Sequence, residues 1–485
     1  RHRRKRRQRL PDFNGPCRRR GREKQYQGKR EEFVHDDFRI SVFQSRLSAR
    51  CRATSNRGNG NILVFCSQPI VQTTWLKKTR MSPFLLLSFA PGKTSESMGG
   101  WAMRAVLIAW LVISMGGAFA ADLPVDKLGN VLKLPQPYPA KWVWVQDIAF
   151  DHMLDGKMIL VDPRGATLRE QIKGMFNSSN IAAFAQAATR PEVYVAETFY
   201  ERGNRGARTD VITVYDKVNL RPIAEIPLTG NKRASVMPGR HALAMTGDES
   251  LLMAYFFTPA TSIGIIDVAK RALVHEVALP NCALAYPTGK RGFSSLCANG
   301  SMVSFQLDAA GKVISTKTLE PFFDVDKDAL FEKPVSVNGI GYFPTFTGNM
   351  QEIDLRGDHA VLGKRWNLVP EPERAQNWRP GGAMLTSADD AGRLYLLMHP
   401  DGKEGSHKDG GPEVWVYDVA RQTRVQRIVL KTWGVSVEVT RGAKPLLLVT
   451  NAEMNIDVYE ALAGKHRRTI AHFGQESPVI MFAAR

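Results

Sequence analysis

The stretch MHPDGKEGSHKDGG, Met398 to Gly411, gathers His399, Asp401, Glu404, His407 and Asp409 in one glycine-rich run. Imidazole and carboxylate are donors for a divalent ion, but a site needs three or four of them converging at about 2 to 2.3 Å, and no helical or hairpin spacing enforces that here. Asp401-Gly402 and Asp409-Gly410 read more economically as turn formers. No metal is therefore predicted on this chain. Other chemistry is equally sparse: there is no Cys-x-x-Cys-His for covalent haem, no Gly-x-Ser-x-Gly elbow, no His-Glu-x-x-His helix and no phosphate loop. His241, His275 and His359 are scattered without a partner pattern, so no catalytic residue is assigned and any catalysis is expected to reside on a partner or a cofactor elsewhere.

The charge is uneven. Of 66 Lys and Arg and 47 Asp and Glu, residues 1–120 hold 24 and 7, which leaves a nearly neutral 42 and 40 for residues 121–485. Nucleic-acid binding by the folded part would need a basic face, and this count does not require one. Residues 1–97 form a basic leader, opening RHRRKRRQRL, that is expected to lie outside the mature protein; the competing reading is a basic tail for nucleic acid or anionic lipid. Residues 98–120 place Arg104 before the apolar run AVLIAWLVISMGG and end in AFA, the pattern of a secretory signal, with an uncleaved anchor as the alternative. Cleavage predicts a mature chain from Ala121, exported to the periplasm without a stable membrane anchor. Only Cys282 and Cys297 then remain, and two cysteines in an exported chain favour one disulfide over two buried thiols, closing a loop that contributes roughly 3 kcal/mol.

One phrase recurs along the mature chain: a short apolar strand ending in an acidic residue, a turn, and a returning strand. Its acidic positions are Asp162, Asp216, Asp267, Asp308, Asp354, Asp418 and Glu460, at intervals of 54, 51, 41, 46, 64 and 42 residues. Alternating apolar residues such as Ile212 and Val214 build the strand, and the carboxylate accepts N–H bonds from the turn. Such a hairpin cannot bury both faces alone, so residues 121–485 are predicted to form an all-β fold, a seven-bladed β-propeller, with each phrase as the outer two strands of a blade. Inner strands come from runs such as Leu251–Phe257, Arg393–His399 and Pro445–Asn451, and Asn180–Ala188 is read as a further inner strand with its approach. A sandwich of seven similar hairpins is the alternative. The longest interval, Asp354 to Asp418, carries AQNWRPGG and the opening run; extra length on a propeller face usually marks contact with something, and Trp378 reads as a large aromatic anchor.

Four phrases, TFYERGNRGARTDVITVYD (Thr198 to Asp216), TPATSIGIIDVAK (Thr258 to Lys270), AQNWRPGG (Ala375 to Gly382) and MHPDGKEGSHK (Met398 to Lys408), resemble the heavy subunit of the periplasmic quinoprotein amine dehydrogenases. The resemblance covers Ala121 to Arg485 and is closer to the aromatic amine dehydrogenase branch than to the methylamine branch. It implies a propeller in an α2β2 heterotetramer whose small light chain carries tryptophan tryptophylquinone, made from two light-chain tryptophans. None of the nine tryptophans here inherits that role, so no cofactor is expected on this chain. It further implies oxidation of a primary amine to aldehyde and ammonia, with electrons passed to a small periplasmic copper protein or cytochrome. By the same resemblance Phe176, in IKGMFNSSN, falls at the substrate channel, with a core position as the alternative, and Cys282 and Cys297 match the family's heavy-chain disulfide. The run NKRASVMP, Asn231 to Pro238, departs from relatives and leaves substrate preference open. A stand-alone exported propeller that binds a protein or polymer without catalysis is the competing function.

Overall fold

The computed structural model describes residues 133–149, 153–234, 239–472, 474 and 476–485, together with two short strands, Arg52–Ala53 and Val64–Phe65. The rest of the leader, the signal segment 98–120, Ala121 and residues 235–238 of the divergent loop lie outside the described residues. The chain divides into two compact units, Arg1–Ala121 and Asp122–Arg485. In the first, the two short strands pair antiparallel. The second is all-β, with only the four-residue helices Leu168–Gln171 and Glu371–Arg374 and a single turn of 3-10 helix at Ser406–Lys408 among its described residues.

The phrase behaves as its chemistry demands. In the first turn Asp162 accepts from the backbone N–H of Arg164 at 3.0 Å, and in the second Asp216 accepts from Val218 and Asn219 at 3.1 and 3.0 Å. Asp267, Asp308, Asp354 and Asp418 repeat the contact with N–H groups two to four residues on, at 2.8 to 3.1 Å. Glu460, one methylene longer, instead pairs with Arg467. Each carboxylate occupies donors that the tight turn leaves without a ladder partner.

Five sheets are separate four-stranded units. The first orders as Ser477–Ala483, Val143–Ile148, Asp155–Val161 and Ile172–Ser179, so the last strand of the chain seats beside one of the earliest, with Val143 opposite Ala483. The second runs from Ala183–Gln186 through Glu192–Arg202 and Arg205–Asp216 to Pro222–Pro227. The third, fourth and fifth begin at Leu243–Met245, Cys282–Pro287 and Val335–Val337. Asn180–Ala188 thus supplies an innermost strand. All these pairings are antiparallel, a propeller architecture, and the apolar cores lie between neighbouring sheets: Trp144, Met158 and Phe184 of the first two pack with Val193 and Val195.

The expectation of seven separate blades is corrected here. Among the described residues of the second unit five sheets stand alone, and the remaining strands form one eight-stranded sheet. The cause is the 17-residue strand Thr423–Val439. Its first half pairs with Gly411–Asp418 and its second half with Leu446–Asn451, so one ladder passes into the next without a break. Gly434 sits where the partners change, facing Gly411 on one side and Asn451 on the other. A Cβ there would lie 2.8 to 2.9 Å from side-chain methyls of Leu430, Leu397 and Val449, so any larger residue would require that packing to shift.

Candidate functional site

In an antiparallel four-stranded unit, the first-to-second and third-to-fourth turns leave from one end, and the second-to-third turn and the crossing to the next sheet leave from the other. The aspartate turns therefore mark one end, and the crossings the opposite end. At the crossing end a cavity of about 460 Å³ opens between the first and second sheets, lined by Met153, Asn177, Ser178, Asn180, Phe199 and Arg233 among others. Its outer wall is the hairpin Glu192–Arg202/Arg205–Asp216, whose 11- and 12-residue strands outrun the six residues common in the other sheets. Asp210 braces it, accepting from Thr198 Oγ1 at 2.7 Å and Arg208 Nε at 2.9 Å, while Arg208 Nη2 reaches the carbonyl of Asn231 at 2.9 Å.

Outer strands carry exposed apolar side chains such as Ile314 and Val429, but among the turns and crossings such residues fall mostly at this end. Phe199 and Trp433 are 42 % and 41 % exposed, and Met153, Leu154, Phe257 and Met454 join them in second-to-third turns or crossings. At the aspartate-turn end, Leu168 and Leu462 are the large exposed apolar residues in turns among the described residues. An apolar set concentrated on one end fits a protein surface better than it fits water.

Beneath the cavity lies a buried carboxylate that the sequence reading did not single out. Glu197 is 2 % exposed; it accepts from the backbone N–H of Ser179 at 3.0 Å, from Thr213 Oγ1 at 2.5 Å and from Tyr215 Oη at 3.5 Å. Burial pushes its carboxyl up to about 7, against the opposing pull of those three donors. Because Ser179 ends the first sheet's outer strand, Glu197 ties two sheets together. The signal available in the sequence was Glu197 directly after the apolar run Val193–Ala196, a run apolar enough to be buried on both faces.

Phe176 lies on Ile172–Ser179 opposite Met158. Its ring, 7 % exposed, faces the core between the first two sheets, stacked on Tyr215 at 4.0 Å and edge-on to Trp144 at 5.7 Å, while the next residues, Asn177 and Ser178, line the cavity. Cys282 and Cys297 are directly opposite in adjacent strands and form a disulfide. Trp378 is an anchor of the core, 5.1 Å from Trp415, with the Arg427 guanidinium over both rings.

The loop from Met398 to Gly411 is tied to itself and its neighbours. His399 Nε2 meets Ser406 Oγ at 3.0 Å, the N–H groups of Asp401 and Gly402 donate to Gln376 and Asn377, and the carbonyl of Asp409 accepts from Trp433 Nε1. Asp401 and Gly410 adopt positive φ, as turn formers do. Burial pushes His399 and His407 below the usual imidazole value. Among the described residues no group of three or more His, Cys, Asp or Glu is placed to hold a metal ion.

Comparison with known proteins gives this geometry a context. A family model described as methylamine dehydrogenase heavy chain (MADH) matches residues 139–484. The methylamine dehydrogenase heavy chain of Paracoccus versutus is 29 % identical over 370 residues, covering 74 % of this chain and 82 % of that one. The heavy chain of the same name from Methylobacillus flagellatus is 24 % identical over 406 residues, 80 % of this chain and 98 % of that one. Among solved structures, a putative 6-phosphogluconolactonase from Bacteroides fragilis aligns with a TM-score of 0.48 at 11 % identity, over 74 % of this chain and 99 % of that chain.

Proposed function

From the premise that this chain belongs to the methylamine dehydrogenase heavy-chain family, and is thus a heavy subunit of an amine dehydrogenase, we propose its working context. The mature chain is exported to the periplasm after cleavage near Ala121 and assembles with a small light chain as an α2β2 heterotetramer. That light chain carries tryptophan tryptophylquinone, which supplies the oxidation of a primary amine to aldehyde and ammonia, and electrons leave to a small copper protein or cytochrome. The resemblance assigns the quinone to the partner, and the burial of Trp142, Trp144, Trp366, Trp378 and Trp415 as packing residues supports that reading. The phrases at Thr258–Lys270 and Met398–Lys408 place the chain nearer the aromatic amine dehydrogenase branch than the methylamine branch.

The observation that carries the assembly is the crossing end, where Met153, Leu154 and Phe199 line a 460 Å³ cavity and Phe257, Trp433 and Met454 stand exposed in other turns and crossings of the same end. The light chain covers this end, and the amine reaches the quinone past the cavity wall, with Phe176 supporting Asn177 and Ser178 from behind. Seven blades also fit this reading. The eight-stranded sheet acts as two blades sharing one strand, and inner strands bearing Gln186, Leu243, Tyr286, Val335, Ser387, Glu438 and Phe482 surround a single axial cavity.

The test is co-expression with a small cysteine-rich exported chain, followed by size-exclusion chromatography and amine-dependent dye reduction. A heterotetramer active only with both chains is expected, with Phe199→Asp or Trp433→Asp breaking the assembly. A heavy chain that oxidises amines alone, or that never associates with a light chain, refutes the proposal.

A further inference from the structure

Along Glu192–Arg202 alternate side chains turn toward the first sheet. Val193 and Val195 enter the apolar core with Trp144 and Phe176, Glu197 reaches the N–H of Ser179, and Phe199 lines the crossing-end cavity. Glu197 therefore stands at the step between core and cavity, about 7 Å along the strand from Phe199 and on the same face. The chain on either side of it forms the cavity wall. Ser178 and Thr198 both line the cavity, and the Thr198 N–H donates to Ser179 Oγ at 3.0 Å.

A carboxylate buried this deeply is ordinarily matched by a cation. Among the described residues Glu197 instead has the backbone of Ser179 and the hydroxyls of Thr213 and Tyr215, and no Lys, Arg or His pairs with it. The cations on the surrounding strands are engaged or turned away. Arg208 pairs with Asp210 at 2.9 Å and Arg202 with Glu201 at 3.2 Å. Lys157 lies across from Asn177, out of step with Phe176, so it leaves from the far face of the first sheet, and Lys173 lies over Trp142. On the cavity lining itself Arg233 is offset in number by Asp155, and Glu225, opposite Thr213, adds a negative charge that works against ionisation of Glu197. Glu197 thus sets the sign of this wall. The buried Oδ1 of Asn180, also on the lining, accepts no hydrogen bond among the described residues, and Phe199 and Tyr200 bring aromatic rings. A spare acceptor, two aromatic rings and a carboxylate without a countercharge suit a cation.

We propose that the crossing-end cavity binds an organic ammonium ion, with Glu197 supplying the countercharge from behind Ser178 and Thr198, and Phe199 and Tyr200 the aromatic contact. Binding is then linked to ionisation: the cation favours the carboxylate, and the carboxylate favours the cation by the same factor. Burial holds the carboxyl of the empty site at about 7, so a cation arriving at pH 7 displaces about half a proton. That the bound ammonium is the substrate's own rests on the amine-oxidation reading; the cation site does not.

The experiment is calorimetric titration of benzyltrimethylammonium, a cation that cannot be oxidised as a primary amine, into the purified assembly that contains this chain, at pH 6, 7 and 8. Saturable binding about tenfold tighter at pH 8 than at pH 6 is expected, with proton release at pH 7 read from buffers of different ionisation enthalpy. Glu197→Gln should bind weakly and equally at all three pH values and release no proton. Should that variant fail to fold, the pH dependence and proton release of the wild type decide. No saturable binding, an affinity unchanged between pH 6 and pH 8, or a pH dependence that survives in Glu197→Gln overturns the proposal. Amine-dependent dye reduction by the same preparation is read separately, so that cation binding without it counts against the amine-oxidation reading and leaves the site standing.

Discussion

Replacing Glu197 by Gln isolates the cost of burying a carboxylate between two sheets. Its carboxyl is held at about 7 against an ordinary 4.5, because burial outweighs the hydrogen bonds from Ser179, Thr213 and Tyr215. A folded value raised above the unfolded one means that the protonated form is favoured by folding. The stability is fully present below pH 4.5 and is lost as pH rises through about 7. The gap corresponds to about 3 kcal/mol at most, since one pH unit is about 1.4 kcal/mol. Glutamine keeps the shape and the acceptor for Ser179, and its amide can donate to the Thr213 hydroxyl, so the variant carries no charge to bury. Urea unfolding of both proteins at pH 5, 6, 7, 8 and 9 should show the closest midpoints at pH 5, an advantage for Glu197→Gln that grows between pH 5 and pH 7, and a constant difference above that. A stability difference that stays constant from pH 5 to pH 9 would refute the reasoning, because then the carboxylate does not change charge in the folded state.

Three further expectations are direct. Phe176→Ala removes a ring stacked on Tyr215 and should cost about 3 to 5 kcal/mol of stability; in the reconstituted complex it should also shift the ratio of kcat/KM between a bulky aromatic and a small aliphatic amine with the quinone still titratable, and an unchanged ratio leaves Phe176 a core residue only. Intact mass of the unreduced chain should be two hydrogens below that of the reduced chain, reflecting the Cys282–Cys297 bond, whereas two thiols freely alkylated in folded protein would contradict it. N-terminal sequencing of protein from the cell envelope should begin at Ala121 or within a few residues; a start near Arg1 on exported protein would count against signal cleavage.

The outer hairpins were legible because their signal is local. A strand that ends in aspartate and turns within a few residues carries its hydrogen-bonding solution in its own text, as Asp216 with Val218 and Asn219 demonstrates. The union of two ladders was not legible, because TRVQRIVLKTWGVSVEV contains a single glycine and nothing in its composition distinguishes a strand that ends at Gly434 from one that passes through it. Deciding that requires knowing which side chains crowd the glycine, and Leu397 and Val449 come from neighbouring strands. The cavity at the crossing end is likewise assembled from Met153, Ser178, Phe199 and Arg233, which meet only after two sheets stand side by side. Glu197 escaped notice for a related reason: its unusual protonation comes from the burial of its surroundings, which no short motif records.

The pairing of Val143 with Ala483 has a consequence for how the ring is made. Bringing together strands separated by about 340 residues costs roughly 5 kcal/mol of chain entropy beyond a constant, and no local contact offsets it in advance. During synthesis the early strand Val143–Ile148 stays without its inner neighbour until Ser477–Ala483 has emerged, so the nascent ring carries an open edge for nearly its whole length. Sheets formed in between can mature in order along the chain, each against the one before it. The seam is then the slow, non-local step, and a ribosome that stops short of Ser477 releases a ring with a template strand exposed to other chains.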